Sequence, residues 1–328
     1  MPRRLFYFPP RMKLIVQIPC YNEELHLPAT IAEIPREIPG IDEVEILVID
    51  DGSSDRTSEV AKAAGAHHLL RLKQRRGLAQ VFAAGLDAAV QLGADIIVNT
   101  DADSQYPGAE IPKLIDPILQ GEAEIVIGDR GVKELAHFSL TKKILQGWGS
   151  WVVRQVSGTS IPDTTSGFRA LSRSAAMRMN IVSEFTYTLE SIIQAGKKKI
   201  PLAHIPIQAR ETTRESRLFA SVPDYLKKSA STIVRIYAMF EPLKIFGSIG
   251  AAIFLTGFAI GGRFLYFYFF TPGRGTGHIQ SLILAAVLLI VGFQILLIGL
   301  LADLIASNRK LLEDVLHRIR QIQYGKEQ

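Results

Sequence analysis

Cysteine occurs once, at Cys20, in a chain of 328 residues. An intramolecular disulfide framework and any cysteine-based zinc cluster are therefore excluded, and the chain suits a reducing compartment. Neither Gly-x-Gly-x-x-Gly nor Gly-x-x-x-x-Gly-Lys-Ser/Thr occurs, which argues against a dinucleotide site and a P-loop. No aromatic RNA-binding signature or helix-turn-helix pattern accompanies the basic residues, so nucleic acid is disfavoured as a partner. Internal repeats and low-complexity tracts are absent. Met1 to Arg11 carries Arg3 and Arg4 but no apolar run of signal-peptide length before Pro9 and Pro10, and is expected to be a flexible start rather than an export signal.

Apolar residues are plentiful. Hydrophobic residues make up 48% and charged residues 21%, yet the mean hydropathy of +0.18 exceeds that expected of a soluble enzyme of this size. The excess lies in two nearly uninterrupted runs, Ile245 to Phe270 and Ile279 to Ala302. About 20 helical residues cross the ~30 Å hydrocarbon layer, so each run is long enough with some tilt. A buried core helix of that length would keep a polar face, and these do not. The turn between them, Thr271 to Gln280, contains Pro272, Gly273, Gly275 and Gly277 and predicts an antiparallel hairpin. It holds one basic residue, Arg274, against five in the tail after Asp303 (Arg309, Lys310, Arg318, Arg320 and Lys326), so both termini are expected in the cytoplasm. Arg263 interrupts the first run and is expected to snorkel or pair with a neighbour. Gly247, Gly250, Gly257 and Gly261 supply small surfaces through which the spans of a homo-oligomer could pack. The net charge of +5 with a pI near 9.2 points to an anionic partner without naming it.

Before these runs, short β-rich segments alternate with helical patterns. Strands are predicted at Lys13 to Ile18, Val44 to Ile49, His68 to Leu72, Asp95 to Asn99 and Glu124 to Ile127. Helices are predicted at Thr57 to Ala64, Leu78 to Leu92 and Glu110 to Gln120. That rhythm predicts an α/β fold with a mostly parallel sheet, whose ligands bind beyond the carboxyl ends of the strands. Three of those ends are polar and turn-rich: Pro19-Cys20-Tyr21-Asn22-Glu23-Glu24, Asp50-Asp51-Gly52-Ser53-Ser54-Asp55, and Thr100-Asp101-Ala102-Asp103-Ser104-Gln105. A carboxylate pair two residues apart suits a hard cation, Mg²⁺ or Mn²⁺, bridging protein to a diphosphate. Each motif alone could be an Asx turn or a helix cap. Their joint occurrence, in this order at strand ends, favours a site.

With these motifs the sequence resembles the family 2 glycosyltransferases of the GT-A (Rossmann-like) fold, and among them the polyprenyl-phosphate glycosyltransferases related to dolichyl-phosphate mannose synthase. The resemblance runs from about Lys13 to Phe240 and extends to the C-terminal hairpin. It implies that Pro19, Tyr21, Asn22 and Glu23 line the nucleotide pocket. Asp50 and Asp51 match the family's acidic pair, the second being the better candidate to contact the base. Asp101, Ala102 and Asp103 match the metal and nucleotide-diphosphate motif, with Gln105 as a further metal ligand. Arg130 falls where family members place a basic residue near the diphosphate. Asp163 begins Asp163-Thr164-Thr165-Ser166-Gly167-Phe168-Arg169, which resembles a segment near the acceptor; it would orient acceptor or metal, or else serve as a turn former. Glu211 to Leu218 resembles the acceptor loop, with Arg217 replacing the more usual Lys and offering a planar fork to phosphate. Lys142, Lys143, Arg214 and Arg217 are the candidates to hold the acceptor phosphate, with Asp103, Asp163 and Arg130 as the catalytic set.

The activity so implied is metal-dependent transfer of a sugar, with inversion, from a UDP- or GDP-linked donor to a polyprenyl monophosphate at the cytoplasmic membrane face. Phe138 to Val156 and Asp224 to Phe240 combine Lys and Arg with Trp and Tyr, as helices lying in the headgroup layer do. The expected organisation is a flexible 1–12, a catalytic domain 13–223, a juxtamembrane helix 224–244, a two-helix hairpin 245–304 and a basic tail 305–328. Two other readings compete. A processive membrane polysaccharide synthase would carry Gln-x-x-Arg-Trp and more spans, and the stretch from Gln146 to Trp151 lacks the Arg. An inactive nucleotide-sugar-binding membrane scaffold would not need the intact acidic motifs.

Overall fold

The computed structural model describes residues 11–131, 150–183, 186–210, 222–270 and 279–324. Two compact units emerge: Met1–Ile233 together with His317–Gln328, and Val234–Leu316.

The first unit is built on seven strands: β1 (Lys13–Cys20), β2 (Glu43–Asp50), β3 (His68–Arg71), β4 (Ile96–Asn99), β5 (Ile125–Asp129), β6 (Arg169–Ser172) and β7 (Leu202–Pro206). They lie in the order β3-β2-β1-β4-β6-β5-β7. The five strands legible in the sequence are all present, within about two residues at each end. β1, β2 and β4 read as near-continuous apolar runs because helices cover both faces of a parallel sheet. These helices include α1 (Leu27–Glu33), α2 (Thr57–Ala63), α3 (Leu78–Gln91) and α4 (Ile111–Leu119), and further on α5 (Arg173–Arg178) and α6 (Tyr187–Lys197).

β6 departs from the parallel rule. It is inserted between β4 and β5 and runs antiparallel to both, with Asn99 and Ile127 opposite Arg169. Its first residue therefore lies beside the last residue of β4 and the middle of β5. Residues 163–168, which lead into β6, are delivered to the end of the sheet where the other polar strand ends open. The short run from Arg169 to Ser172 carries no alternation that would have marked it as a strand.

Beyond α6, the chain forms α7 (Val222–Phe240), α8 (Pro242–Phe270) and α9 (Ile279–Tyr324). α8 and α9 are each long and apolar enough to cross a membrane, and only 11% and 17% of their most apolar windows are buried within the chain. That exposure sets them apart from the core helices of a soluble protein. They pack through small residues. Ala285, Gly292, Gly299 and Ala306 are the buried positions of α9, a repeat of seven that gives a continuous seam. A Cβ on Gly292 would sit 2.6 Å from the Phe254 backbone nitrogen, and one on Gly250 would sit 3.0 Å from the Gly292 carbonyl oxygen. Gly250 and Gly257 thus serve this hairpin itself. Arg263 settles over the ring of Phe267, 5.5 Å from its centroid.

α9 does not end where its apolar run ends. The basic tail expected after residue 304 continues as helix to Tyr324, and its last turns belong to the first unit. Arg320 Nη1 donates to the carbonyls of Met177 (2.9 Å) and Met179 (3.2 Å), and Nη2 lies 3.1 Å from the Asp87 carboxylate. Arg173 donates to the Tyr324 carbonyl, and Gln91 Nε2 donates to the Tyr324 hydroxyl at 3.2 Å. Arg320→Glu should release this segment and raise its cleavage in limited proteolysis several-fold. Adding Asp87→Lys should restore part of the protection.

Candidate active site

The turn after β1 is stitched to the turn after β2. Asn22, at φ 54°, accepts from the Ser54 amide through Oδ1 (2.9 Å) and donates its own amide to Ser53 Oγ (2.9 Å). The Glu23 amide donates to Thr57 Oγ1 at 2.8 Å, and the Asp51 amide to the Cys20 carbonyl at 2.9 Å. Asp50 is wholly buried; its carboxylate accepts from the Ser53 amide (2.8 Å) and from the Ser58 hydroxyl. Arg71 Nε approaches that carboxylate at 3.7 Å. In the position expected to touch nucleotide, Asp50 is therefore occupied in shaping the turn, since an anion buried this deeply needs all of these donors.

Asp51 accepts from the amides of Arg76 (2.7 Å) and Gly77 (2.9 Å) at the start of α3. This draws the 74–77 loop to the strand ends, and Arg75 stacks over the Tyr21 ring at 4.2 Å. Sequence reasoning missed the approach of this loop to Tyr21 and Asp51. The signal available was the run from Lys73 to Arg76 closing on Gly77 just before a helix.

After β4, α1 holds the acidic motif by its backbone. Thr30 Oγ1 donates to the Ala102 carbonyl (2.9 Å) and accepts from the Ser104 amide (3.1 Å), where Ser104 turns through φ 55°. The Ala102 side chain is buried, while Asp101, Asp103 and Gln105 remain partly exposed. Asp103 Oδ1 accepts from the Gln105 amide at 3.1 Å. Among the described residues, no group of three or more His, Cys, Asp or Glu could hold an ion unaided. Two carboxylates and an amide fit a hard divalent cation that completes its shell with water and substrate oxygens.

The segment before β6 joins this motif to the end of β5. Arg130 and Asp163 form a bidentate pair, Nε to Oδ2 at 2.7 Å and Nη2 to Oδ1 at 3.0 Å, and Nη2 also donates to Thr165 Oγ1 at 2.7 Å. Burial works to raise the Asp163 pKa, but the Arg130 guanidinium and Thr165 hold it below the usual carboxylate range. Gly167 stands against Asp101, where a Cβ would lie 2.9 and 3.0 Å from the two carboxylate oxygens. Its carbonyl accepts from Asn99 Nδ2 (2.8 Å) and the Tyr187 hydroxyl (3.3 Å), and its amide donates to the Tyr106 hydroxyl (3.3 Å). Burial pushes the Tyr106 phenol up to about 12, so it stays neutral. The structure thus brings Asp101, Asp163 and Arg130 together through one loop. Lys142, Lys143, Arg214 and Arg217 lie outside the described residues, as do Met1–Pro10 and most of the first headgroup-layer stretch.

The model for glycosyl transferase family 2 matches residues 15–179, half of the chain and all the elements that carry these motifs. The chain belongs to glycosyl transferase family 2. Within that family it is 30% identical over 215 residues to the UDP-N-acetylglucosamine–dolichyl-phosphate N-acetylglucosaminyltransferase of Methanococcus voltae, covering 58% of this chain and 83% of that protein. It is 27% identical over 299 residues to glycosyltransferase AglJ of Haloferax volcanii, covering 88% and 92%. Among solved structures, glucosyl-3-phosphoglycerate synthase from Mycobacterium tuberculosis superposes with a TM-score of 0.53 at 22% identity, over 70% of this chain and 79% of that one. The fold is therefore GT-A, and this family 2 chain is a glycosyltransferase.

Two outcomes test the geometry of this glycosyltransferase. Gly167→Ala should displace Asp101 and lower turnover at least 10-fold with little change in folded content by circular dichroism. Because its folded pKa is depressed, Asp163 contributes stability that is complete above its unfolded pKa of about 3.9 and is lost as pH falls through the folded value. The stability difference between wild type and Asp163→Asn should thus stay constant from about pH 8 to 5 and shrink below about pH 4.

Proposed function

We propose that the chain transfers a sugar from a nucleotide-diphosphate sugar to a polyprenyl monophosphate at the cytoplasmic face of a membrane, with inversion at the anomeric carbon. The observation that carries the reading is the pairing of the Asp101–Gln105 motif at the end of β4 with two membrane-length helices in one family 2 chain. The name of the Methanococcus relative, a UDP-N-acetylglucosamine–dolichyl-phosphate N-acetylglucosaminyltransferase, supports a lipid phosphate as acceptor.

Asp103, with Gln105 and Asp101, would hold Mg²⁺ or Mn²⁺, and the ion when bound would offset the negative charge that builds on the departing diphosphate. Tyr21, Asn22, Glu23 and Asp51, with the 74–77 loop, would seat the nucleoside. A phosphate monoester is already anionic at neutral pH, so it attacks without a strong general base and the protein's task is alignment. Asp163 suits that task better than proton removal, because its pairing with Arg130 keeps it ionised and weakly basic. Arg130 in turn is held in one orientation at the edge of the cleft, where its charge favours the diphosphate or the incoming phosphate. Lys142, Lys143, Arg214 and Arg217 remain the acceptor-phosphate candidates. A single displacement by the lipid phosphate would give a β-linked product from an α-linked donor.

Purified protein incubated with undecaprenyl phosphate, Mg²⁺ and a panel of UDP- and GDP-sugars should yield one polyprenyl-phosphate sugar by mass spectrometry. Asp103→Asn should lower that yield at least 100-fold. Full activity of Asp103→Asn with metal present would overturn the metal assignment. Transfer to free sugars or growing glycans without lipid phosphate would overturn the acceptor.

A further inference from the structure

Behind the 163–167 loop lies a buried cation that no part of the reaction described so far uses. Arg169 is 1% exposed, the largest fully buried side chain among the described residues. Its Nε donates to the Ser166 carbonyl at 2.8 Å, Nη2 donates to the Thr164 carbonyl at 3.3 Å, and Nη1 donates to the Ser191 hydroxyl on α6. Its guanidinium lies over the Tyr187 ring, 5.5 Å from the centroid. Among the described residues, Asp163 pairs with Arg130 instead, and no carboxylate forms an ion pair with Arg169. Burying a guanidinium without a carboxylate is costly, and an apolar side chain of similar volume would fill the space more cheaply.

What the guanidinium supplies is order in the loop. Successive residues alternate in their partners: the side chains of Asp163 and Thr165 bind Arg130, while the carbonyls of Thr164 and Ser166 bind Arg169. Thr164 and Ser166 are fully buried, so their carbonyls have no water to replace a lost donor. One residue further on, Gly167 sets the position of Asp101. A shift of the loop therefore moves the Arg130 partner and the Asp101 seat together.

We infer that Arg169 is a positioning residue for sugar transfer: by fixing the Thr164 and Ser166 carbonyls, it aligns Asp163 on Arg130 and Gly167 on Asp101, and so couples the acceptor side of the cleft to the metal motif. The inference rests on the reading of Asp101 and Asp103 as metal ligands.

The test uses the full-length protein in detergent, with Arg169→Met, Arg169→Lys and Ser191→Ala compared with wild type. Mn²⁺ binding is measured directly by electron paramagnetic resonance in the presence of UDP or GDP. Folded fraction by thermal unfolding, and kcat and KM for lipid phosphate, are measured alongside. In folded Arg169→Met, Mn²⁺ binding should weaken at least 10-fold and kcat should fall at least 100-fold with KM changed less than 3-fold. Arg169→Lys should recover part of both losses, since its ammonium reaches one carbonyl. Ser191→Ala should shift both modestly in the same direction. Wild-type Mn²⁺ affinity in folded Arg169→Met, or a loss of kcat matched by the loss of folded protein, would make Arg169 a core residue only. If Arg169→Met does not fold, wild-type Mn²⁺ affinity and kcat in Ser191→Ala overturn the inference by themselves. Should wild type bind no Mn²⁺ with either nucleotide, the metal reading fails and takes this inference with it; normal binding by wild type and variants alike removes the inference alone.

Discussion

The site depends on one loop held from both sides. Residues 163–167 run between two guanidiniums: Arg130 grips their side chains, and Arg169 grips their carbonyls. The Arg130–Asp163 pair is nearly excluded from water, and breaking such a pair from one side costs on the order of 3–5 kcal/mol. The loop is therefore tied to the end of β5 and to β6 by five hydrogen bonds. Gly167 packs directly against Asp101, and Asn99, Tyr106 and Tyr187 complete the backbone hydrogen bonds at this point. Asn99 is in turn fixed by Gln17 on β1, whose amide donates to Asn99 Oδ1 at 2.9 Å. A short polar column thus runs through an otherwise apolar sheet to the loop before β6.

The turns after β1 and β2 are assembled by a different device. There the anions Asp50 and Asp51 fold the surrounding backbone onto themselves by drawing in amides. Asp50 is consumed in this role, and Asp51 ties α3 to the ends of β1 and β2. The two devices meet at β4, where Thr30 on α1 fixes the backbone of the acidic motif while leaving Asp103 and Gln105 open to solvent. That division leaves side-chain oxygens of the acidic motif partly exposed rather than all satisfied within the fold.

The second unit follows separate physics. Burial of apolar side chains from water drives the sheet domain together, but α8 and α9 are long and apolar enough to cross a membrane and leave most of their apolar surface outward. Their mutual contact rests on close backbone approach at small residues. The same helix, α9, changes character along its length and finishes by donating Arg320 and Tyr324 to the sheet domain.

Much of this was legible in the sequence because it depends on local pattern. Five strands, three helices and two membrane-length helices follow from hydrophobic periodicity, and the acidic motifs stand at the strand ends where the sequence puts them. The glycosyltransferase family follows from the same motifs. Other features were not legible because they depend on contacts distant in sequence. Only the tertiary structure inserts β6 antiparallel between β4 and β5, a placement set by pairing of Arg169 with both Asn99 and Ile127. That single reversal carries Asp163 to Arg130, 33 residues away. Burial and hydrogen-bond supply decide that Asp50 shapes a turn while Asp51 gathers the 74–77 loop. The amino-acid sequence by itself determined which chemistry the chain carries, and tertiary packing decided which of its charges are spent on structure, because that depends on the donors that folding brings within reach.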